Sequence, residues 1–195
     1  MTKFEELHKL KDIMEKDETL PLKKGAGKLV FGSGNTEAKI LCIGEGPGRN
    51  EDLQGLPFVG QAGKLLDKLL LLAGLPRNKV FITNIVHHRP PENRDPLPSE
   101  IEAYGKYLDE IIKIVNPKII ITLGRFSMAK FLPDVYISGV HGKKYDIKWN
   151  GKNVSVIPMY HPAASLRNGS ILEAEKKDFS QLGELLGTIQ VVSNP

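Results

Sequence analysis

Four side chains in this sequence combine useful chemistry with positions where a chain exposes it. They are the carboxylate of Glu45, the ring of Phe58, the amide of Asn84 and the imidazole of His161. Glu45 lies inside Gly44-Glu45-Gly46-Pro47-Gly48, directly after the apolar run Lys39-Ile40-Leu41-Cys42-Ile43. Glycine carries no Cβ, so such a turn lets a ligand approach the backbone and its N–H groups. Phe58 stands in Pro57-Phe58-Val59-Gly60 with little core nearby in sequence to bury it, and a flat ring on a loop floor suits a planar ligand. Asn84 ends a second apolar run, and His161 follows a third. Each residue alone has a plain structural explanation: an Asn as turn former, a His before Pro as scaffold, a Glu as a solvated turn residue, a Phe as a loop anchor. The common place of Glu45, Asn84 and His161 at strand ends argues for a shared site, because parallel strands bring their carboxyl ends to one sheet edge. Two nucleotide-binding patterns fit poorly. Arg49 stands where the third glycine of a dinucleotide fingerprint belongs, and Gly63-Lys64 is followed by Leu65 rather than Ser or Thr.

The elements that must position these residues follow from periodicity. Phe4, Leu7, Leu10, Ile13 and Met14 have helical spacing over residues 4–16. Residues 20–35, with four glycines, read as an irregular loop. A strand at 39–43 feeds the glycine-rich loop, and Leu65-Leu66 with Leu69 to Leu72 forms a helix stopping near Gly74. Val80 to Thr83 is a strand ending at Asn84, with Ile85 and Val86 continuing it. Ser99 with Glu102 predicts a capping box, opening a helix with Ile101, Tyr104, Leu108, Ile111, Ile112 and Val115 on one face. Lys118 to Leu123 is nearly all apolar, as in a strand covered on both faces. A short helix is expected from Phe126 to Leu132, a hairpin around Asn150-Gly151, and a closing helix over 171–186. The alternation predicts an α/β fold: a three-layer αβα domain with a short, mostly parallel central sheet.

The chain has 195 residues, 41% of them hydrophobic and 26% charged, which suits one globular domain over 1–195. No apolar run approaches the roughly 20 residues that span a bilayer, so no membrane association is expected. Residues 1–16 are charged throughout and do not read as a signal peptide. The net charge of +4 mildly favours a polyanionic partner. The one cysteine, Cys42, sits in a strand run and reads as a buried structural thiol, so no disulfide framework is possible within the chain.

Taken together, several stretches resemble the thermostable, family-4 uracil-DNA glycosylases. Gly44-Glu45-Gly46-Pro47-Gly48 with Glu51-Asp52, Pro57-Phe58-Val59-Gly60 and Ala62-Gly63 is similar to that family's first motif. Thr83-Asn84-Ile85-Val86, Arg89-Pro90-Pro91, Asn93-Arg94 and Leu123-Gly124 resemble its middle region. His161-Pro162-Ala163-Ala164 with Leu166-Arg167 resembles its second active-site motif. The likeness runs from about residue 29 to 186 and implies hydrolysis of the N-glycosidic bond of deoxyuridine in DNA. That activity requires the nucleotide to be flipped out of the stack. Phe58 would stack on the base, the Asn84 amide would read it, His161 would stabilise the departing uracil, and Glu45 would act on water or on the sugar cation. Backbone N–H groups of Gly46 and Gly48 would contact base or phosphate. Ser165, Leu166 and Arg167, as a loop, would fill the gap left in the duplex, with Arg89, Arg94, Lys143 and Lys144 as phosphate contacts. The implied partner is uracil-containing DNA, single- or double-stranded, bound by a monomer in the prokaryotic cytosol or nucleoid.

One departure is large. The family keeps an iron–sulfur cluster on four cysteines, and those positions here hold Asp17, Leu20, His88 and Tyr104. Cluster ligation needs thiolates, so neither cluster nor other cofactor is expected. Asp17 and His88 carry atoms able to ligate another metal, Leu20 does not, and Tyr104 rarely does; no metal site is expected. Two other classes stay open on sequence: a DNA-binding homologue with altered or no activity, and a module binding free nucleotides through the same loop.

Overall fold

A computed structural model describes residues 1–189. Among these residues six strands form one sheet: β1 (Ser33–Gly34), β2 (Ile40–Gly44), β3 (Val80–Asn84), β4 (Ile119–Leu123), β5 (Tyr145–Trp149) and β6 (Lys152–Met159). Their spatial order is β1-β3-β2-β4-β6-β5, with β3, β2, β4 and β6 mutually parallel and an antiparallel strand at each edge. Among the described residues eight α-helices accompany them: α1 (Lys3–Lys16), α2 (Arg49–Gln54), α3 (Gln61–Leu72), α4 (Pro98–Val115), α5 (Arg125–Ala129), α6 (Ile137–Val140), α7 (Pro162–Ser165) and α8 (Gly169–Ile189).

The continuous apolar runs of the inner strands are explained by a core on each face. Leu41, Ile43, Phe81 and Ile120 join Leu7 and Met14 of α1 and Tyr104, Leu108 and Ile111 of α4. The alternate residues Ile40, Cys42, Ile82 and Ile121 join Leu66 and Leu70 of α3 and Phe179 and Leu182 of α8. Successive strand residues point to opposite faces, so each strand must be apolar at both parities to separate two helical layers. This is the three-layer αβα arrangement expected. Cys42 is buried within it, as expected.

The register sets up one edge. Gly44 pairs with Asn84 across β2 and β3, and Leu123 pairs with Met159 across β4 and β6. The residues that follow these strands, Glu45, Gly124 and the Tyr160-His161 pair, therefore emerge together at the carboxyl ends.

Several local expectations are corrected. Residues 20–35 are not wholly irregular: Ser33 and Gly34 add an edge strand to β3. The second strand ends at Asn84; Ile85 and Val86 lie beyond it in a bend, although their N–H groups still donate to the carbonyls of Gly44 and Glu45. The box between Ser99 and Glu102 does not form. Pro98, suited to a first helical position, starts α4 earlier, and the Glu100 carboxylate reaches back to the Leu97 N–H at 2.8 Å. The expected helix after Gly124 is shorter, Arg125–Ala129. The hairpin turn is as read: Asn150 and Gly151 both take left-handed φ, 46° and 79°, as a two-residue primed turn requires.

The four positions where the resembled family has cysteines are filled by other contacts. Asp17 accepts from Thr19 Oγ1 at 2.5 Å, Tyr107 Oη at 2.7 Å and Lys106 Nζ at 2.9 Å, and these bonds, the Thr19 one foremost, hold its carboxyl well below the usual range. Leu20 is buried in the core. His88 Nδ1 and Tyr104 Oη share a hydrogen bond of 2.8 Å. Without thiolates this set does not fit an iron–sulfur cluster. Among the described residues, no three His, Cys, Asp or Glu side chains are grouped to hold a metal ion, and no helix is long and apolar enough to cross a membrane.

Candidate active site

A pocket of about 450 Å³ opens at the carboxyl edge of the sheet, and Glu45, Gly46, Gly48, Phe58, Asn84, His161 and Arg167 all line it. That size suits one nucleotide rather than a duplex. Pro90, Asn93, Arg94, Asp95 and Pro96 form a further wall.

Phe58 is held in a conformation that a bulky residue rarely takes, with φ at 52°. Arg77 over-determines that backbone from outside. It donates to the carbonyls of Pro57 and Phe58 at 2.5 and 2.9 Å and pairs with Asp67 at 2.8 Å. From the other side Glu51 of α2 accepts from the Val59 and Gly60 N–H groups at 2.9 and 2.7 Å. Beneath, Gly63 of α3 lets the loop approach: a Cβ there would sit 1.9 Å from the Phe58 carbonyl oxygen. The Phe58 ring is thus a buried part of the core as well as the pocket floor, which differs from a ring with little core around it. It stacks near the His161 ring, with centroids 5.7 Å apart and planes at 27°.

Asn84 is 2% exposed, and its Oδ1 is buried without a hydrogen-bond partner among the described residues. A buried polar atom without a partner costs roughly 1–3 kcal/mol, so this oxygen is suited to a donor that arrives with a ligand. The space around it exists because Gly44 has no side chain; a Cβ there would lie 2.4 Å from Asn84 Oδ1 and 2.7 Å from the Phe58 ring.

His161 is the N-cap of α7, and its Nδ1 accepts the Ala163 N–H at 3.1 Å. The ring proton therefore resides on Nε2. Burial pushes the imidazole pKa down to about 4, the nearby Glu51 opposing only in part. His161 is thus a neutral ring with Nε2–H available as donor. Glu45 Oε1 accepts the Phe126 N–H at 3.1 Å, at the start of α5. Burial raises the Glu45 pKa, with Asp95 adding to the rise while the Phe126 and Arg125 N–H groups and the Arg125 charge oppose it. Gly124, at φ 108°, makes room: a Cβ would sit 2.3 Å from Glu45 Oε1.

The remaining expected residues are placed differently. Leu166 is 52% exposed, beside the pocket-lining Arg167. Arg89 is half-buried outside the pocket lining, its Nε donating to Asn93 Oδ1 at 2.7 Å. Ser165 is corrected: it ends the short helix α7 rather than lying in a loop, is 3% exposed, and turns its hydroxyl inward to Glu175. It is not presented to DNA. Lys143 and Lys144 are bound to the Gly139 carbonyl and to Asp146, and Arg94 is bidentate to Glu100 at 2.9 and 2.6 Å. Sequence reasoning missed the structural duties of Glu51 and Arg77. Glu51 stood inside a motif, but the loop backbone it serves is eight and nine residues on and visible only when folded.

Comparison with known proteins gives the chain a family. Residues 31–183 match the uracil DNA glycosylase superfamily. The chain is 46% identical over 175 residues to a type-4 uracil-DNA glycosylase of Archaeoglobus fulgidus, covering 87% of each chain. It is 43% identical over 191 residues to that of Saccharolobus solfataricus, covering 95% of this chain and 88% of the relative. It is 39% identical over 169 residues to that of Thermotoga maritima, covering 87% and 88%.

Proposed function

This chain belongs to the uracil DNA glycosylase superfamily, and we propose that it is a base-excision repair glycosylase that hydrolyses the N-glycosidic bond of deoxyuridine in DNA. The observation that carries the reading is the unpartnered Asn84 Oδ1, buried in a pocket shared with Phe58, His161 and Glu45.

An extruded uracil lies against Phe58. Asn84 Oδ1 accepts from uracil N3–H and its amide N–H donates to O4. Cytosine presents an acceptor and a donor at those places, so one amide discriminates between them. As the C1′–N1 bond breaks, its electron pair passes to the uracil ring and the sugar becomes cationic. The neutral His161, donating through Nε2, receives the charge growing on uracil O2. Water then bonds to C1′, leaving an abasic sugar, and its proton passes through solvent to the departing uracil anion, which leaves as neutral uracil. Glu45, held by α5, favours the cationic sugar or orients that water. Gly46 and Gly48 offer N–H groups to base or phosphate. Arg167 and Leu166 meet the DNA, the exposed Leu166 filling the place of the flipped base, with Arg89 near the backbone. The protein acts as a monomer of one domain, in the cytosol, on single- or double-stranded substrate.

The test is release of free uracil from a uracil-containing oligonucleotide under single-turnover conditions. Asn84→Asp, which replaces a donor by an acceptor, should lose uracil excision, and any new activity should be against cytosine. Unchanged excision by Asn84→Asp and Asn84→Ala would remove Asn84 as the reader. DNA affinity without uracil release would overturn the enzymatic reading.

A further inference from the structure

Behind the pocket, α8 carries two buried carboxylates three residues apart, Glu175 and Asp178. Glu175 is fully buried; its Oε2 accepts from the Ser165 hydroxyl, and its Oε1 has no partner among the described residues. Asp178 Oδ2 meets His141 Nδ1 at 2.7 Å. The His141 ring packs on Tyr160 with centroids 4.5 Å apart. Next to His141, Gly142 takes φ 71° and fits tightly: a Cβ there would lie 2.3 Å from Asp178 Oδ1. Its N–H donates to the Pro158 carbonyl at 2.8 Å. Phe179, between the inner turns of α8, is buried in the core with Leu66 and Met159, so the helix presenting both carboxylates is fixed.

These contacts bracket His161. Tyr160 immediately precedes it, and Ser165 closes the short helix whose Ala163 N–H sets the His161 tautomer. We propose that α8 acts as a two-carboxylate clamp for His161, Glu175 holding the following helix through Ser165 and Asp178 holding the preceding residue through His141. Ser165, Glu175, Asp178 and His141 are positioning residues: none lines the pocket, and each acts only through the placement of the imidazole. A carboxylate without a neutralising cation is a costly thing to bury. Burial raises the Glu175 pKa to about 7, the neighbouring Asp178 adding to the rise while Ser165 opposes it. Simple packing would be served better by an apolar residue there, so the retained polar pair is an argument for geometry over stability.

The inference rests on the leaving-group role given to His161 above, and the experiment separates the two. Single-turnover excision of uracil and of 5-fluorouracil, which leaves more easily, is measured for His161→Ala, Ser165→Ala, Glu175→Gln, S165A/E175M and H161A/S165A. The S165A/E175M variant replaces both partners by apolar groups and keeps the fold without a buried charge. Misplacement of a catalytic group by about 1 Å costs up to about 100-fold, so Ser165→Ala and S165A/E175M should slow uracil excision by about 10- to 100-fold with DNA affinity unchanged. Their loss should shrink on 5-fluorouracil, as for His161→Ala. Glu175→Gln keeps an acceptor and should lose less. H161A/S165A should be no slower than His161→Ala. Wild-type rates for Ser165→Ala and S165A/E175M, equal losses on the two bases, or additive losses in H161A/S165A would overturn the clamp while leaving His161 its role. A wild-type rate for His161→Ala would overturn both.

Discussion

The imidazole of His161 shows how a single hydrogen bond decides chemistry. With Nδ1 accepting from the backbone, protonation of the ring would have to break that bond or place a charge in a buried pocket. A pKa lowered from 6.5 to about 4 follows from the burial. The unfolded chain therefore binds more protons than the folded one between these values. The stability contributed by neutral His161 is present above 6.5 and is lost as pH falls through about 4. His87 and His88, lowered to about 3 and about 4 by burial, have the same sign. Glu175, raised from 4.5 to about 7, has the opposite one, its stabilisation being lost as pH rises through about 7. Two expectations follow for measurement. In nitrogen-resolved NMR spectra the His161 ring should stay neutral from about pH 8 to about pH 5, with its proton on Nε2. Thermal melting should fall as pH drops from 6.5 towards 4. A His161 ring titrating near 6.5 would contradict the assigned donor form. At this scale Glu45, Asn84 and His161 were legible in the sequence because each stands in a motif at a strand end, and Phe58 because its loop belongs to the same motif as Glu45. Ser165 was not. Its burial depends on Glu175, ten residues away on a different helix, and no local pattern announces that pairing.

The elements around the pocket are positioned by close approach more than by their own propensities. The contact between α3 and the Phe58 loop depends on Gly63 lacking a side chain, and the obstructing atom is backbone, which cannot rotate away. Gly63→Ala should therefore force the loop and helix apart. Overpacking of this kind costs about 1–3 kcal/mol, which calorimetry reads as a lower Tm. Because the displaced segment carries Phe58, uracil excision should fall even where the variant remains folded. An alanine variant with wild-type melting and activity would mean that the loop has slack the structure does not show. The inner strands and the long helices were legible because a period of two or of 3.6 survives in the residues themselves. The short elements α2, α6, α7 and β1 were not, since runs of two to six residues carry too little periodicity to stand out. The start of α4 was misread because two acidic residues were available to close a cap, and the proline decided between them.

At the scale of the whole molecule, a net charge of +4 understates how selectively the cations are committed. Around the pocket Arg94 is bound to Glu100, Arg125 pairs with Asp95 at 2.5 Å, and Arg77 serves the Phe58 loop. Arg167 is exposed, lines the pocket, and has no ion pair among the described residues. A cation already neutralised by a neighbouring carboxylate displaces few counterions from DNA, whereas a free one releases its share. The logarithm of DNA affinity falls with the logarithm of salt by about 0.9 for each phosphate neutralised on a duplex. Arg167→Ala should thus reduce the steepness of that line by about 0.9 and weaken binding to duplexes of any sequence alike. Arg94→Ala should leave the slope nearly unchanged, while loosening the pocket wall and the start of α4, because it strips Glu100 of its partner. The measurement is binding to uracil-free duplex across a salt series for wild type and both variants. Equal reductions in slope would mean that the Arg94–Glu100 pair opens on DNA, and a flat response in the wild-type protein would mean that contacts other than phosphate neutralisation dominate its affinity.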